Sequence, residues 1–342
     1  MCSLGEERKY NMPNFAEFCA GIGGFRLGLE EVGWNCVYTN EIDTKCENTY
    51  ETNFMERFNS YDIFAINPIE LPDFDVLCAG FPCQSFSIAG KQEGFNDHRG
   101  TVFYKLEEII QVKMPSVIFL ENVKNLINHN RGQTFRYILH SLRQLGYNPF
   151  FKVLDSSYFG VPQSRPRVYI VAFREDLGIE MFNITERITQ RTAFRNFINH
   201  DDFTIPITDR WQEYIELYLG EKTINQMSFE VPRTRRVLEK IGPGADLNDC
   251  VLQIRSSGIR AISIDQPLPT FAVSNSGGGA MIPVYTGERR HLSLTEIKRI
   301  MGFPEDYIFN VSRTDAIKQL ANAVCPPVIV SIGQDINNVL GW

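Results

Sequence analysis

A cysteine at position 83 lies in the run Gly80-Phe81-Pro82-Cys83-Gln84-Ser85-Phe86-Ser87, directly after the short apolar segment Asp75–Ala79. A thiol on a loop that leaves a strand, flanked by proline and backbone donors, is placed for nucleophilic attack. Free thiols have a pKa of roughly 8.5 and are only a few per cent ionised at neutral pH, so such a nucleophile needs a positive field nearby. The commoner fate of a cysteine is burial as an inert thiol. That alternative suits Cys78, inside the apolar segment, better than Cys83.

Two further motifs could supply what the thiol lacks. Glu121, in Phe119-Leu120-Glu121-Asn122-Val123, stands where a strand gives way to loop. A carboxylate there can pair with a base edge or act as a general acid; alone, it would equally be a helix cap or a surface acid. Arg165 and Arg167, in Gln163-Ser164-Arg165-Pro166-Arg167, share one face of an extended segment. They can hold a polar ring and lend positive field to a thiolate, or simply be surface arginines. A fourth motif, Phe18-Cys19-Ala20-Gly21-Ile22-Gly23-Gly24, follows a strand and opens a helix. Glycines there let a ligand approach the backbone at a helix N-terminus. The dinucleotide fingerprint G-x-G-x-x-G is not met. Glu41, about 20 residues on, ends the next strand, where an acid suits a ribose with two free hydroxyls. Asp62 ends the following segment and could meet an adenine amino group. A tight turn with surface carboxylates is the plainer reading of this motif.

These loops need elements to position them. Apolar runs at Asn14–Ala20, Cys36–Asn40, Asp75–Ala79, Ser116–Glu121, Phe150–Leu154 and Arg167–Phe173 read as strands. Between them, Gly24–Val32, Thr44–Asn53, Gly100–Lys113 and Gln133–Leu145 read as helices, with Gly33 and Gly146 as C-caps. Alternation of strand and helix predicts an α/β fold with a doubly wound, mostly parallel sheet. Ligands bind at the carboxyl ends of such strands, which is where the glycine loop, Cys83 and Glu121 fall, while Arg165 and Arg167 lead into the last strand. From about 180 to 285 the periodicity weakens, and Gly, Pro, Thr and Arg clusters predict a smaller domain with much loop. Regularity returns at Leu292–Met301, where Ser293 and Glu296 match a capping box, and again over Pro327–Val339. The expected division is residues 14–180 as a catalytic, cofactor-binding domain, 181–285 as a second domain and 286–342 as a return segment completing the first.

The chain has 342 residues, 43% hydrophobic and 22% charged, an ordinary globular composition. No apolar run reads as a membrane span, and the polar first ten residues lack the core of a signal peptide, so a cytoplasmic enzyme is expected. The eight cysteines are scattered, with neither a C-x-x-C pair nor zinc-like Cys/His spacing, which argues against a disulfide framework and against a metal. A net charge of −7 counts against nucleic acid unless basic surface is concentrated locally.

The glycine loop, F-P-C-Q at 81–84, E-N-V at 121–123 and Q-x-R-x-R at 163–167, in that order, resemble the blocks of the DNA (cytosine-5)-methyltransferases, especially those of bacterial restriction–modification systems. Two later blocks join them, R-H-L-S-L-T-E-I-K-R-I-M-G-F-P at 290–304 and L-A-N-A-V-C-P-P-V at 320–328. The resemblance covers most of residues 14–335, apart from the middle of the smaller domain. It implies the S-adenosylmethionine-dependent methyltransferase fold, a target-recognition domain at 181–285 and a cleft for duplex DNA. By the same resemblance, Cys83 attacks carbon 6 of cytosine, Glu121 contacts the exocyclic amine and ring nitrogen 3, and Arg165 and Arg167 position the base and the catalytic loop. Phe18, Gly21, Gly23, Glu41, Ile42, Asp62, Ile63, Pro82, Asn322 and Val324 would line the S-adenosylmethionine site. Gln84, Ser87 and Thr270 would meet the DNA, and the loop 84–100 would close over it. Functional pairing with a restriction endonuclease, no membrane and action as a monomer are also implied.

Carbon 6 is hidden in a stacked duplex, so this chemistry requires flipping the base out, at a cost of a few kcal/mol, roughly. Groove contacts must come from the 181–285 region; Arg255 and Arg260, with Ser256 and Ser257, are the first candidates, since arginine reads guanine. The sequence departs from the family pattern at Cys19, where an aromatic is usual, at Ile42, often Trp, and at Ala321, usually Gly. A tRNA cytosine methyltransferase of the same architecture is the runner-up, but its Cys-Phe-Thr signature is missing. A non-catalytic DNA-binding protein on a decayed fold would have lost Cys83, Glu121 or the arginines. An unrelated nucleotide-binding oxidoreductase would carry the dinucleotide fingerprint.

Overall fold

The computed structural model describes residues 12–56, 58–82, 102–187, 190–200, 205–241, 245–255, 258–270 and 282–342. The first half runs β1 (Asn14–Phe18), α1 (Gly24–Glu31), β2 (Asn35–Glu41), α2 (Thr44–Phe54), β3 (Asn59–Ser60), β4 (Val76–Ala79), α3 (Val102–Lys113), β5 (Val117–Val123), α4 (Gln133–Gln144), β6 (Tyr147–Asp155), β7 (Gln163–Ser164) and β8 (Pro166–Arg174). Seven of these strands form one sheet in the order β3-β2-β1-β4-β5-β8-β6. The first five pair in parallel, and β8 runs antiparallel to both β5 and β6. The near-continuous apolar runs of β4 and β5 are explained by burial on both faces. Leu77, Ala79, Ile118 and Leu120 face α3 and α4, while Val76, Cys78, Val117 and Phe119 face the opposite core.

That opposite core is completed from the far end of the chain. Helix α6 (Leu294–Met301) begins at the Ser293/Glu296 capping box and is followed by α7 (Arg313–Asn322) and α8 (Pro326–Leu340). Val328, Ile329 and Ile332 of α8 pack with Phe25 and Leu29 of α1 against the sheet. The stretch Arg313–Leu340 has the length and apolarity of a membrane span, yet 78% of its apolar window is buried inside the protein.

Between β8 and α6 the chain is more regular than its sequence pattern predicts. Helix α5 (Asp209–Leu219) is capped by the Thr208 side chain. Five strands, β9 (Leu238–Ile241), β10 (Cys250–Arg255), β11 (Gly258–Ser263), β13 (Val284–Tyr285) and β14 (Arg290–His291), form a sheet in the order β14-β13-β10-β11-β9. Residues Leu268–Pro269 (β12) pair instead with β7. One face of the small sheet, with Leu252, Ile259 and Ala261, packs on Trp211, Tyr214 and Ile215 of α5. The other, with Val251 and Ile262, packs on Ile297 and Ile300 of α6.

In the large sheet the chain leaves β1 for β2 on one side and later returns to β4 on the other. The exit loops of β1 and β4 therefore diverge, opening a crevice at the carboxyl ends of the strands.

Candidate active site

The glycine loop forms one wall of that crevice. Gly23 closes a tight turn through its N–H to the Ala20 carbonyl at 2.9 Å and caps α1 at φ +77°. Gly24 lies against the segment after α7: a Cβ there would stand 2.4 Å from the Val324 carbonyl oxygen. A Cβ on Gly21 would meet nothing within 4 Å, so the loop borders open space. Glu41, at the end of β2, accepts from Gly21 N–H through one oxygen (3.0 Å) and from Ile42 and Asp43 N–H through the other (2.8 and 3.0 Å). Asp62 is exposed and caps a short turn by accepting from Phe64 N–H at 3.0 Å. Phe18 and Ile63 are buried, whereas Ile42, Pro82 and Asn322 are exposed.

The second wall carries the charged groups. Glu121 is buried, and Arg167 Nε lies 3.1 Å from its Oε1. Its other oxygen is 3.6 Å from where a Gly80 Cβ would be. The carboxylate thus sits against the start of the 80–83 loop. Burial raises its pKa, against the lowering influence of Arg167 and Arg165. Arg165 is buried and donates from Nη2 to the Ala323 carbonyl at 2.9 Å. Burial and the nearby Arg167 push its pKa down to about 10, so it is charged at neutral pH. Among the described residues its Nε and Nη1 make no hydrogen bond, and neither does the buried Gln163 amide. Asn122 donates to the Phe81 carbonyl at 2.7 Å, fixing the loop's first residues to β5.

Thr270 belongs to the same assembly. Its N–H and hydroxyl both donate to the Ser164 carbonyl, at 3.0 and 2.9 Å. Gln253 of β10 donates to the Thr270 carbonyl at 3.3 Å. By strand register, Arg260 lies opposite Gln253. Arg260 is held by Glu239, with Nε–Oε2 at 2.8 Å, and Arg255 is exposed at the end of β10. Arg255 and Arg260 therefore lie on the face of the small sheet that reaches Thr270. Cys83, Gln84, Ser87, Ser256, Ser257 and the loop 84–100 lie outside the described residues.

The sequence profile of the C-5 cytosine-specific DNA methylases matches residues 13–338 of this chain. The chain belongs to that family. It is 36% identical over 329 residues to the Type II methyltransferase M.HhaI of Haemophilus parahaemolyticus, covering 96% of this chain and 95% of that protein. It is also 36% identical over 310 residues to M.NgoBI of Neisseria gonorrhoeae, covering 91% and 88%. The fold is that of the methyltransferase EhMeth of Entamoeba histolytica, with a TM-score of 0.65, 20% identity and coverage of 96% and 98%.

For a DNA cytosine-5 methylase the state of the thiols matters. Six cysteines are described, and all but the half-buried Cys19 are buried. Burial pushes Cys36 and Cys250 up to about 11 and Cys325 to about 12, and raises Cys19, Cys46 and Cys78 as well. None of these six is poised as a thiolate.

Sequence reasoning missed Asp155. At the end of β6 its carboxylate accepts from Ser157 N–H (3.0 Å), Ser164 Oγ (2.7 Å) and Arg165 N–H (3.1 Å), and it pairs with Arg191 at 3.2 Å. It thereby sets the backbone from which Arg165 projects. Its only sequence signal was an acid at the carboxyl end of a strand. Gln253 was missed too, since its role depends on a contact 17 residues away that no periodicity encodes.

Proposed function

We propose that this methylase transfers the methyl group of S-adenosylmethionine to carbon 5 of a cytosine flipped out of duplex DNA, through a covalent adduct with Cys83. One observation carries the reading. Glu121, buried and paired with Arg167, lies directly against Gly80, three residues ahead of Cys83.

The residues fit the cofactor. Gly21 borders open space, Gly24 lets Val324 approach, and Glu41 is held at the loop by three backbone N–H groups. Ile42 offers an exposed apolar side chain beside it. In this reading Phe18, Gly21, Gly23, Glu41, Ile42, Asp62, Ile63, Pro82, Asn322 and Val324 hold the cofactor, which supplies an electrophilic methyl group when bound.

This chain's own groups do the rest. The Cys83 thiolate bonds to carbon 6 of the flipped base, helped by the positive field of Arg165 and Arg167. Glu121, whose burial favours the protonated form, shares a proton with ring nitrogen 3, so the electron pair of the 5,6 double bond collects at carbon 5. After carbon 5 is methylated, its proton leaves to a base, the sulfur–carbon bond breaks, and Cys83 departs with that electron pair. The Nε and Nη1 donors of Arg165, which have no partner among the described residues, are available to the flipped nucleotide.

Residues 14–180 and 286–342 act as the catalytic domain and 181–285 as the target-recognition domain, with Arg255 and Arg260 reading bases and Gln84, Ser87 and Thr270 contacting the flipped strand. We also take the protein to be the monomeric, cytoplasmic, protective partner of a restriction endonuclease, a reading supported by its Type II relatives. The test is labelled methyl transfer to unmethylated DNA by the protein and by Cys83→Ser. Turnover by that variant at the normal rate rules out the adduct.

A further inference from the structure

The acidic net charge leaves open how the enzyme grips a polyanion, and the distribution of charge offers an answer. Residues 122–154 contain no Asp or Glu, although the chain averages one acid in about every eight residues. Besides Lys152, which donates to the Ile184 carbonyl, the same stretch carries Lys124, Arg131, Arg136 and Arg143. All four are exposed. None of them forms an ion pair among the described residues, whereas Arg174, Arg195, Arg260 and Arg299 elsewhere are each neutralised by an acid.

Their position is also informative. Lys124 follows the last residue of β5 and stands three residues after Glu121, at the carboxyl end of the sheet. The turn Lys124–Gly132 is fastened by buried Leu126. Arg136 folds back to donate to the Arg131 carbonyl at 3.3 Å, which holds its guanidinium against the backbone of residue 131. Of the two acids on the neighbouring helix α3, Glu107 is engaged by the hydroxyls of Tyr137 and Ser141 and Glu108 by Lys105.

We infer that Lys124, Arg131 and Arg136 form a surface that holds the phosphodiester backbone of duplex DNA beside the target base. The inference rests on the DNA-methylating function above and assigns part of its binding energy to a site outside the small domain. Uncommitted cations at the rim of the catalytic crevice suit a rod of regularly spaced phosphates. They carry no sequence information and set position along the duplex instead.

The test is DNA affinity by fluorescence anisotropy between 50 and 200 mM salt. It uses the full-length protein, a neutral variant (Lys124→Gln, Arg131→Gln, Arg136→Gln) and a charge-keeping variant (Arg131→Lys, Arg136→Lys). Each phosphate no longer neutralised should flatten the slope of log K against log salt by about 0.9. The neutral variant is therefore expected to be shallower by about two to three and weaker at low salt. The charge-keeping variant should match the unaltered protein, and both should methylate saturating DNA at the unaltered rate. A neutral variant with the unaltered slope overturns the inference, as does a charge-keeping variant whose slope flattens equally. Failure of the underlying function looks different: the unaltered protein itself would not methylate DNA.

Discussion

Alanine at position 24 would place a methyl group 2.4 Å from the Val324 carbonyl oxygen, 3.1 Å from its carbon and 3.2 Å from its nitrogen. The first contact is roughly 1 Å inside ordinary van der Waals separation. All three atoms are backbone, so no side chain can swing aside. Either the glycine loop or residues 322–324 must move. Overpacking of this kind costs typically about 1–3 kcal/mol. Asn322 and Val324 are proposed to line the cofactor site, so that cost should appear in S-adenosylmethionine affinity as a loss of roughly 5- to 150-fold. Glu121 and Arg167 hang from β5 and β8, away from both segments, whereas Arg165 donates to the Ala323 carbonyl, so the single-turnover rate at saturating cofactor should fall by less than the affinity does. Isothermal titration and single-turnover methylation separate the two effects. Gly24→Ala with unchanged cofactor affinity and unchanged stability would refute the convergence of the two segments on one site, as would a loss confined to the rate.

Cys83→Ser should abolish methyl transfer while leaving DNA binding within a few-fold of normal, checked by labelled transfer and anisotropy. Glu121→Gln should slow single-turnover methylation by about 10²- to 10⁴-fold, the usual range for a general acid, with little change in cofactor affinity; equal losses in both would mean a structural role. Asp155→Asn removes a charge-assisted hydrogen bond of about 1.5–3 kcal/mol behind Arg165, so the rate should fall roughly 10- to 150-fold at unchanged cofactor affinity, and an unaltered rate would sink its positioning role. Burial pushes Glu17 from 4.5 up to about 8, partly offset by Arg26 and the Phe25 N–H. The fold thus favours its protonated form, and its stabilising contribution is full below about 4.5 and lost as pH rises through about 8. Glu17→Gln should flatten the fall in stability across that window in denaturant titrations, and identical slopes would contradict it.

Local signals carried much of this structure. Apolar runs placed six of the seven strands of the large sheet, all but the two-residue β3, and a Ser/Glu spacing placed the start of α6, because both depend on neighbours within a few residues. Gly33 and Gly146 follow α1 and α4 at φ +91° and +82°, as expected of helix ends. The region after β8 was opaque for a physical reason. Strand β11 pairs with β10 in a local hairpin but also with the distant β9, and β12 leaves to pair with β7. Short strands whose partners lie far along the chain leave little periodic trace. The same holds in the site. Glu121 was visible as an acid at a strand end, but its pairing with Arg167 arises from the β5–β8 register. Arg260 was visible as an arginine, but Glu239 beside it was not.

The most direct test of the central claim is labelled methyl transfer from S-adenosylmethionine to unmethylated genomic DNA and, in parallel, to tRNA, followed by bisulfite sequencing of the DNA. We expect 5-methylcytosine in one short recurring context, formed by the unaltered protein and absent with Cys83→Ser. Label on tRNA alone, or methylation undiminished without Cys83, would contradict it.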